Sequence, residues 1–263
     1  MKRLLFPRTQ AILLGIAVCL WPVALCTAES IAQDTGSAQF HELSPEARGD
    51  LFMAHQEYVR AIEAYRIAPQ NAAVWNKMGI AYLHLNAVGE ARYDYQRALL
   101  IQPDYAQALN NLGATYFEER NYKKAIRLYR HAMKLMPHSA VIAANLGTAY
   151  FARGEFNKGF KAYHTAFALD PDVFGSADAL PPVSGVTDQA ARAHEDYCLA
   201  ELFAEANMPD QAMEYLRRAL DDGFSDHNDL LENAVFAEVR KTAQFAELMK
   251  EEGIHLPDGV AER

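Results

Sequence analysis

The sequence predicts an all-α fold of stacked helical hairpins, and three observations predict it. Gly79, Gly113 and Gly147 recur at a spacing of 34 residues, as do Tyr82, Tyr116 and Tyr150, Ala98, Ala132 and Ala166, and Pro103, Pro137 and Pro171. A fixed period of about 20–50 residues marks a stacked repeat. Within each copy the large apolar residues fall three, four or seven apart, so each set shares one helix face. The prolines close the copies, because proline lacks a backbone N–H and cannot continue a helix.

The elements follow in order. Residues 1–28 read as a secretory signal peptide, with Lys2, Arg3 and Arg8 before the apolar run Ala11–Leu25 and small residues after it. Cleavage is expected after Ala28. The alternative, a lipidated Cys26, would follow Leu25, a residue larger than such a site normally has. Residues 29–43 are polar and aperiodic and read as a flexible linker. Residues 44–69 are expected to form a capping helix, with Ser44 as N-cap and Pro45 at the first helical position. It is a partial copy, since Ala64 and Pro69 stand 34 before Ala98 and Pro103. Terminal repeats are atypical because one side faces water.

Three full copies follow, 72–105, 106–139 and 140–173. The third has Ala143 and Gly159 where its neighbours carry larger or in-pattern residues, and is expected to pack most loosely. An inserted loop, 174–192, holds Pro181, Pro182 and Gly185 and shows no periodicity. A divergent fourth copy is placed at 193–226, on Leu199, Ala200, Phe203, Ala212, Leu216 and Ala219. Capping helices are expected over 227–252 and a frayed tail over 253–263.

The eight-position pattern resembles the tetratricopeptide repeat. Its copies read Trp75, Met78, Gly79, Tyr82, Ala91, Tyr95, Ala98 and Pro103; Leu109, Leu112, Gly113, Tyr116, Ala125, Tyr129, Ala132 and Pro137; and Ala143, Leu146, Gly147, Tyr150, Gly159, Tyr163, Ala166 and Pro171. The resemblance implies a right-handed α-solenoid with helical caps. It also implies a concave groove lined by the first helix of each copy. That groove would carry Asn76, Lys77, Ile80 and Leu83, then Asn110, Asn111 and Phe117, then Asn145, Thr148 and Phe151. Asn111 and Asn145 stand one repeat apart, and an amide can donate and accept at once, matching a peptide backbone. The same asparagines could instead tie neighbouring helices together. Phe117 and Phe151 could supply apolar sockets. Asn76, Val141 and Asn145 replace the Lys/Arg cluster with which some relatives grip a terminal carboxylate.

Composition narrows the function. The chain carries a net charge of −9. Removal of residues 1–28, which hold three basic residues and no acid, would make it −12. A nucleic-acid or anionic-membrane partner is therefore not expected; membrane contact would require lipidation at Cys26. Basic residues do gather at Arg120, Lys123, Lys124, Arg127, Arg130 and Lys134. Cys198 alone remains after cleavage and reads as a buried small hydrophobe. No nucleophile elbow, phosphate loop or paired metal motif occurs. His194-Glu195 begins like a zinc-protease helix, but Cys198 stands where the second histidine belongs. The expectation is a bacterial exported scaffold, periplasmic or secreted, with a lipoprotein or a retained amino-terminal anchor as the alternative forms (Pro22 late in the short apolar run argues against the anchor), and with no catalytic residues, metal, cofactor or small-molecule substrate. It would bind an extended peptide or protein in its groove. The alternative is a structural part of a cell-envelope assembly such as a pilus, secretion or outer-membrane complex, using its convex face or ends.

Overall fold

A computed structural model describes residues 43–174 and 188–255, and its helices belong to the unit that begins at Pro45. The expected signal peptide, nearly all of the expected linker, residues 175–187 of the expected loop and residues 256–263 of the expected tail lie outside the described residues. Among the described residues the fold is all-α. Five hairpins follow one another: α1 Pro45–Ala54 with α2 Tyr58–Ile67, α3 Ala72–His84 with α4 Val88–Ile101, α5 Ala106–Glu118 with α6 Tyr122–Leu135, α7 Ala140–Phe151 with α8 Phe156–Leu169, and α9 Gln189–Glu205 with α10 Pro209–Asp221. Each helix packs on the next, and the first helices α3, α5, α7 and α9 also meet one another in succession. This is an α-solenoid.

The turns are built alike. Gln56, Asn86, Arg120, Gly154 and Asn207 each take a left-handed backbone, with φ between 57° and 74°. The residue after each donates its N–H back into the first helix: Glu57 to Phe52, Ala87 to Tyr82, Asn121 to Tyr116, Glu155 to Tyr150 and Met208 to Phe203, at 2.8–2.9 Å. These bonds satisfy carbonyls that a helix end leaves free. Asn71 starts α3 by accepting from the Val74 N–H at 2.9 Å. Helices α4, α6 and α8 end two residues before Pro103, Pro137 and Pro171, where extended backbone is favoured.

A tyrosine fills each of the first four hairpins. Tyr65, Tyr95, Tyr129 and Tyr163 are among the largest fully buried side chains. Each ring lies on a glycine of the facing helix: Gly49, Gly79, Gly113 and Gly147. A Cβ there would stand 2.2–2.7 Å from the ring, closer than atoms can approach. Only the smallest residue permits this helix contact.

The structure departs from the sequence reading in three places. Residues 44–69 form a hairpin rather than one capping helix, because Gln56 reverses the chain. Gly49, Ala61, Tyr65 and Ala68 stand thirty residues before Gly79, Ala91, Tyr95 and Ala98, not 34, since α2 is one turn shorter than α4. The fixed period hid this unit. Helix α9 begins at Gln189, one turn before residue 193, and Pro171–Phe174 forms a 3-10 turn, so the expected loop 174–192 is shorter. The third copy is not loose: Gly159 lets the Phe151 ring lie against its backbone, where a Cβ would meet the ring at 2.7 Å.

In the α9–α10 hairpin the Gly–Tyr pair becomes Ala200 and Leu216, both fully buried. The smaller Leu216 side chain leaves room for a Cβ. Beyond it, α11 His227–Glu232, 3-10 turns at Ala234–Phe236 and Val239–Lys241, and α12 Ala243–Glu251 follow. Leu230, Phe236, Val239, Phe245, Leu248 and Met249 join the core that α9 and α10 supply.

Candidate functional site

On the first helices, Asn76, Ile80 and Leu83 lie four and three apart, as do Asn110, Ala114 and Phe117, and Ala144, Thr148 and Phe151, so each trio shares a face. The asparagines beneath this face are buried, at 5–8% exposure. They bond to one another in one direction. Asn145 Nδ2 donates to Asn110 Oδ1 at 3.0 Å, Asn110 Nδ2 to Asn111 Oδ1 at 3.3 Å, and Asn111 Nδ2 to Asn76 Oδ1 at 3.1 Å. The ladder ties α7 to α5 and α5 to α3. Of the two roles open to these amides, the local one is what the geometry brings together. Phe117 and Phe151 are buried as well, against Tyr122 in one case and Phe156 and Tyr163 in the other, and offer no open socket. Thr148 is buried and its hydroxyl lies 2.7 Å from Tyr163 Oη.

Lys77, Ile80, Leu83 and Ala114 are half-buried, the three apolar ones packed at the edge of the core. Lys77 Nζ bonds Glu46 Oε1 and Asp50 Oδ2, both at 2.8 Å. Burial works to lower its pKa, but the two carboxylates outweigh that and raise it. His84 stacks on Tyr58, with ring centroids 4.5 Å apart.

The residue after each repeat glycine sets the fate of the tyrosine hydroxyl. Asp50 accepts from Tyr65 Oη at 2.7 Å and Thr148 meets Tyr163 Oη. Tyr163 also bonds Glu195. Ile80 and Ala114 occupy the same place in the two middle hairpins, and there Tyr95 Oη and Tyr129 Oη are buried with no hydrogen-bond partner among the described residues. Burial raises both phenols well above their ordinary range.

The second-helix side presents a different surface. Helix α6 contains no acidic residue. Lys123, Lys124, Arg127, Arg130 and Lys134, with Asn121, Ile126, His131 and Arg153, line an open hollow of about 720 Å³. The sequence cluster placed the α6 cations together; Arg153, from the α7–α8 turn, could not be found from local spacing. Arg120, also in that cluster, does not line the hollow.

His194 and Glu195, which resembled the start of a zinc helix, have other roles: the His194 ring stacks on Phe156 at 4.0 Å, and Glu195 accepts from Tyr163. Cys198 is buried and its thiol is pushed well up, first by burial. Among the described residues no three His, Cys, Asp or Glu side chains gather to hold a metal ion. Among those residues, too, no helix is long and apolar enough to cross a membrane.

Burial pushes several carboxyls up: Asp94, Glu195 and Glu201 to about 7, and Asp196 to about 6. The folded chain therefore binds protons that the unfolded chain has already released between the ordinary carboxylate range and about pH 7. Their stabilisation is complete below that window and is lost as pH rises through it. Glu155 and Asp222, held low chiefly by hydrogen bonds from Lys158 and Arg192, act in the opposite sense in more acidic solution. Urea unfolding at pH 5 and pH 8 is expected to show the lower stability at pH 8, and Glu201→Gln to narrow that difference. Equal stability at the two values would contradict this.

Sequence comparisons agree with the class of protein that the geometry defines, a helical-repeat solenoid. Two tetratricopeptide repeat models match, over residues 70–138 and 116–179, and support that family for the array. No curated protein matches. Among solved structures, MamA from Desulfovibrio magneticus RS-1 is 18% identical, with a TM-score of 0.48, covering 69% of this chain and 94% of that one. A thermophilic TPR protein in Thermus thermophilus is 18% identical, with a TM-score of 0.46, over 78% of this chain and 97% of its own. The APC/C hetero-tetramer Cut9-Hcn1 is 17% identical, with a TM-score of 0.49, over 79% of this chain and 35% of that one. Neither matching family model is that of a catalytic family.

Proposed function

We propose that this chain is an exported, non-catalytic scaffold that holds a protein partner, with an extended segment of the partner laid along the first-helix groove. The observation that carries the reading is the asparagine ladder. It fixes α3, α5 and α7 side by side, so that Lys77, Ile80, Leu83 and Ala114 are presented on one prepared surface. Preorganisation of this kind lowers the ordering cost of binding. The asparagines then serve as the frame beneath the ligand, and the half-buried apolar residues make the contact. A role in the cell envelope is supported by the amino-terminal basic and apolar run.

A second reading, a structural component of an envelope assembly, is favoured by the open hollow on α6. Site-specific photo-crosslinking in the native host separates the two. A photoreactive residue at Leu83 is expected to give a partner adduct in the envelope fraction. Adducts from position 134 alone would transfer the function to the α6 face. Recovery of the protein in the cytosol would remove the exported role.

A further inference from the structure

We infer that the α6 hollow is a second docking site, independent of the groove, and that it takes a short acidic segment of a partner protein. Lys123, Arg127, Arg130 and Lys134 stand four, three and four residues apart, which puts them in one stripe along the helix. At a rise of about 1.5 Å per residue the stripe is about 16 Å long. All four side chains are exposed, and none makes an ion pair with a described residue. Some cations elsewhere do find acids: Lys77 bonds Glu46 and Asp50, Arg192 bonds Asp222, and Arg218 bonds Asp196.

An ordinary solvated helix face mixes signs, because like charges three or four apart destabilise a helix by about 0.2–0.5 kcal/mol per pair. Helix α6 keeps such pairs with no acid among them. Arg153 from the next hairpin, itself ion-paired with Glu155, completes the wall, and Ile126 supplies an apolar floor. Anions spaced along an extended chain, at about 3.3 Å per residue, would match the stripe over about five residues.

The chain's net charge of −9 selects among polyanions. A long nucleic acid or a broad anionic membrane would meet the repulsion of the rest of the surface. A short acidic peptide need meet only the hollow. Long side chains able to re-aim, together with the guanidinium groups of Arg127 and Arg130, suit carboxylates.

The test is fluorescence anisotropy of a labelled octaglutamate peptide with the full chain. Parallel arms use phosphatidylglycerol vesicles, a duplex DNA and inorganic phosphate. Saturable peptide binding is expected, weakening as salt rises. The double change Arg127→Glu with Arg130→Glu is expected to reduce it at least tenfold. Lys161→Glu with Lys250→Glu alters net charge equally outside the hollow and is expected to leave it unchanged. Should the reversal fold poorly by circular dichroism, Arg127→Ala with Arg130→Ala replaces it. The proposal is overturned if the peptide does not bind, if both pairs of changes weaken it alike, or if vesicles or DNA bind more tightly than the peptide at the same salt. Binding of phosphate with the same affinity as the peptide would also overturn it. Because Leu83 crosslinking reads the groove, either proposal can fail without the other.

Discussion

Gly113→Ala is expected to destabilise the protein by about 3 kcal/mol, and Tyr129→Leu in the same chain to restore more than half of that loss. Glycine inside a helix is ordinarily a weakness, costing about 1 kcal/mol relative to alanine. Here the new methyl would stand 2.7 Å from Tyr129 Cε1 and 2.9 Å from its Cδ1. The ring is fully buried and has no open side to move to. Overpacking of this kind costs typically about 1–3 kcal/mol and occasionally more. The compensating pair already exists in the molecule, as Ala200 on Leu216 in the α9–α10 hairpin. Tyr129 Oη makes no hydrogen bond to a described residue, so its removal costs no polar contact there. A double-mutant cycle read by urea unfolding checks the coupling. Additive losses in the two single variants would mean that the glycine serves some purpose other than ring clearance.

The second large effect concerns the asparagines. Asn111→Ala removes the bond to Asn76 Oδ1 and the acceptor for Asn110 Nδ2; Asn145→Ala removes the donor to Asn110 Oδ1. The partners left behind are buried. A buried polar group without a partner costs about 1–3 kcal/mol, more than the net value of the bond itself. Changing both is expected to destabilise the array by about 3–5 kcal/mol, a large share of the ~5–15 kcal/mol that holds a typical domain together. Repeat arrays unfold as coupled units, so the transition is also expected to broaden as α3–α4 and α7–α8 uncouple from α5–α6.

The period of 34 carried most of the fold, because Gly, Tyr, Ala and Pro at fixed places each answer a steric demand of the hairpin. Where the spacing changed, legibility failed. One missing turn in α2 concealed Gly49 and Tyr65, although their separation of sixteen is that of Gly79 and Tyr95. The Gly–Tyr separation of sixteen, unlike the whole repeat of 34, is kept in the first hairpin. The expected groove residues fall on the first helices of their hairpins, but their roles depend on burial, which a single sequence states poorly. Phe117 faces inward because the hairpin turn brings Tyr122 against it. The α6 cations were visible as a cluster; that they have no acidic partners among the described residues, and that Arg153 closes on them, depends on contacts between hairpins.

The most direct test of the account is the unfolding midpoint of the Asn111→Ala, Asn145→Ala double variant against the parent chain. At about 2–4 °C per kcal/mol for a protein of this size, a fall of about 10 °C is expected, with helicity kept at low temperature. An unchanged midpoint, with loss of the Leu83 adduct, would contradict the account and return the asparagine amides to the ligand.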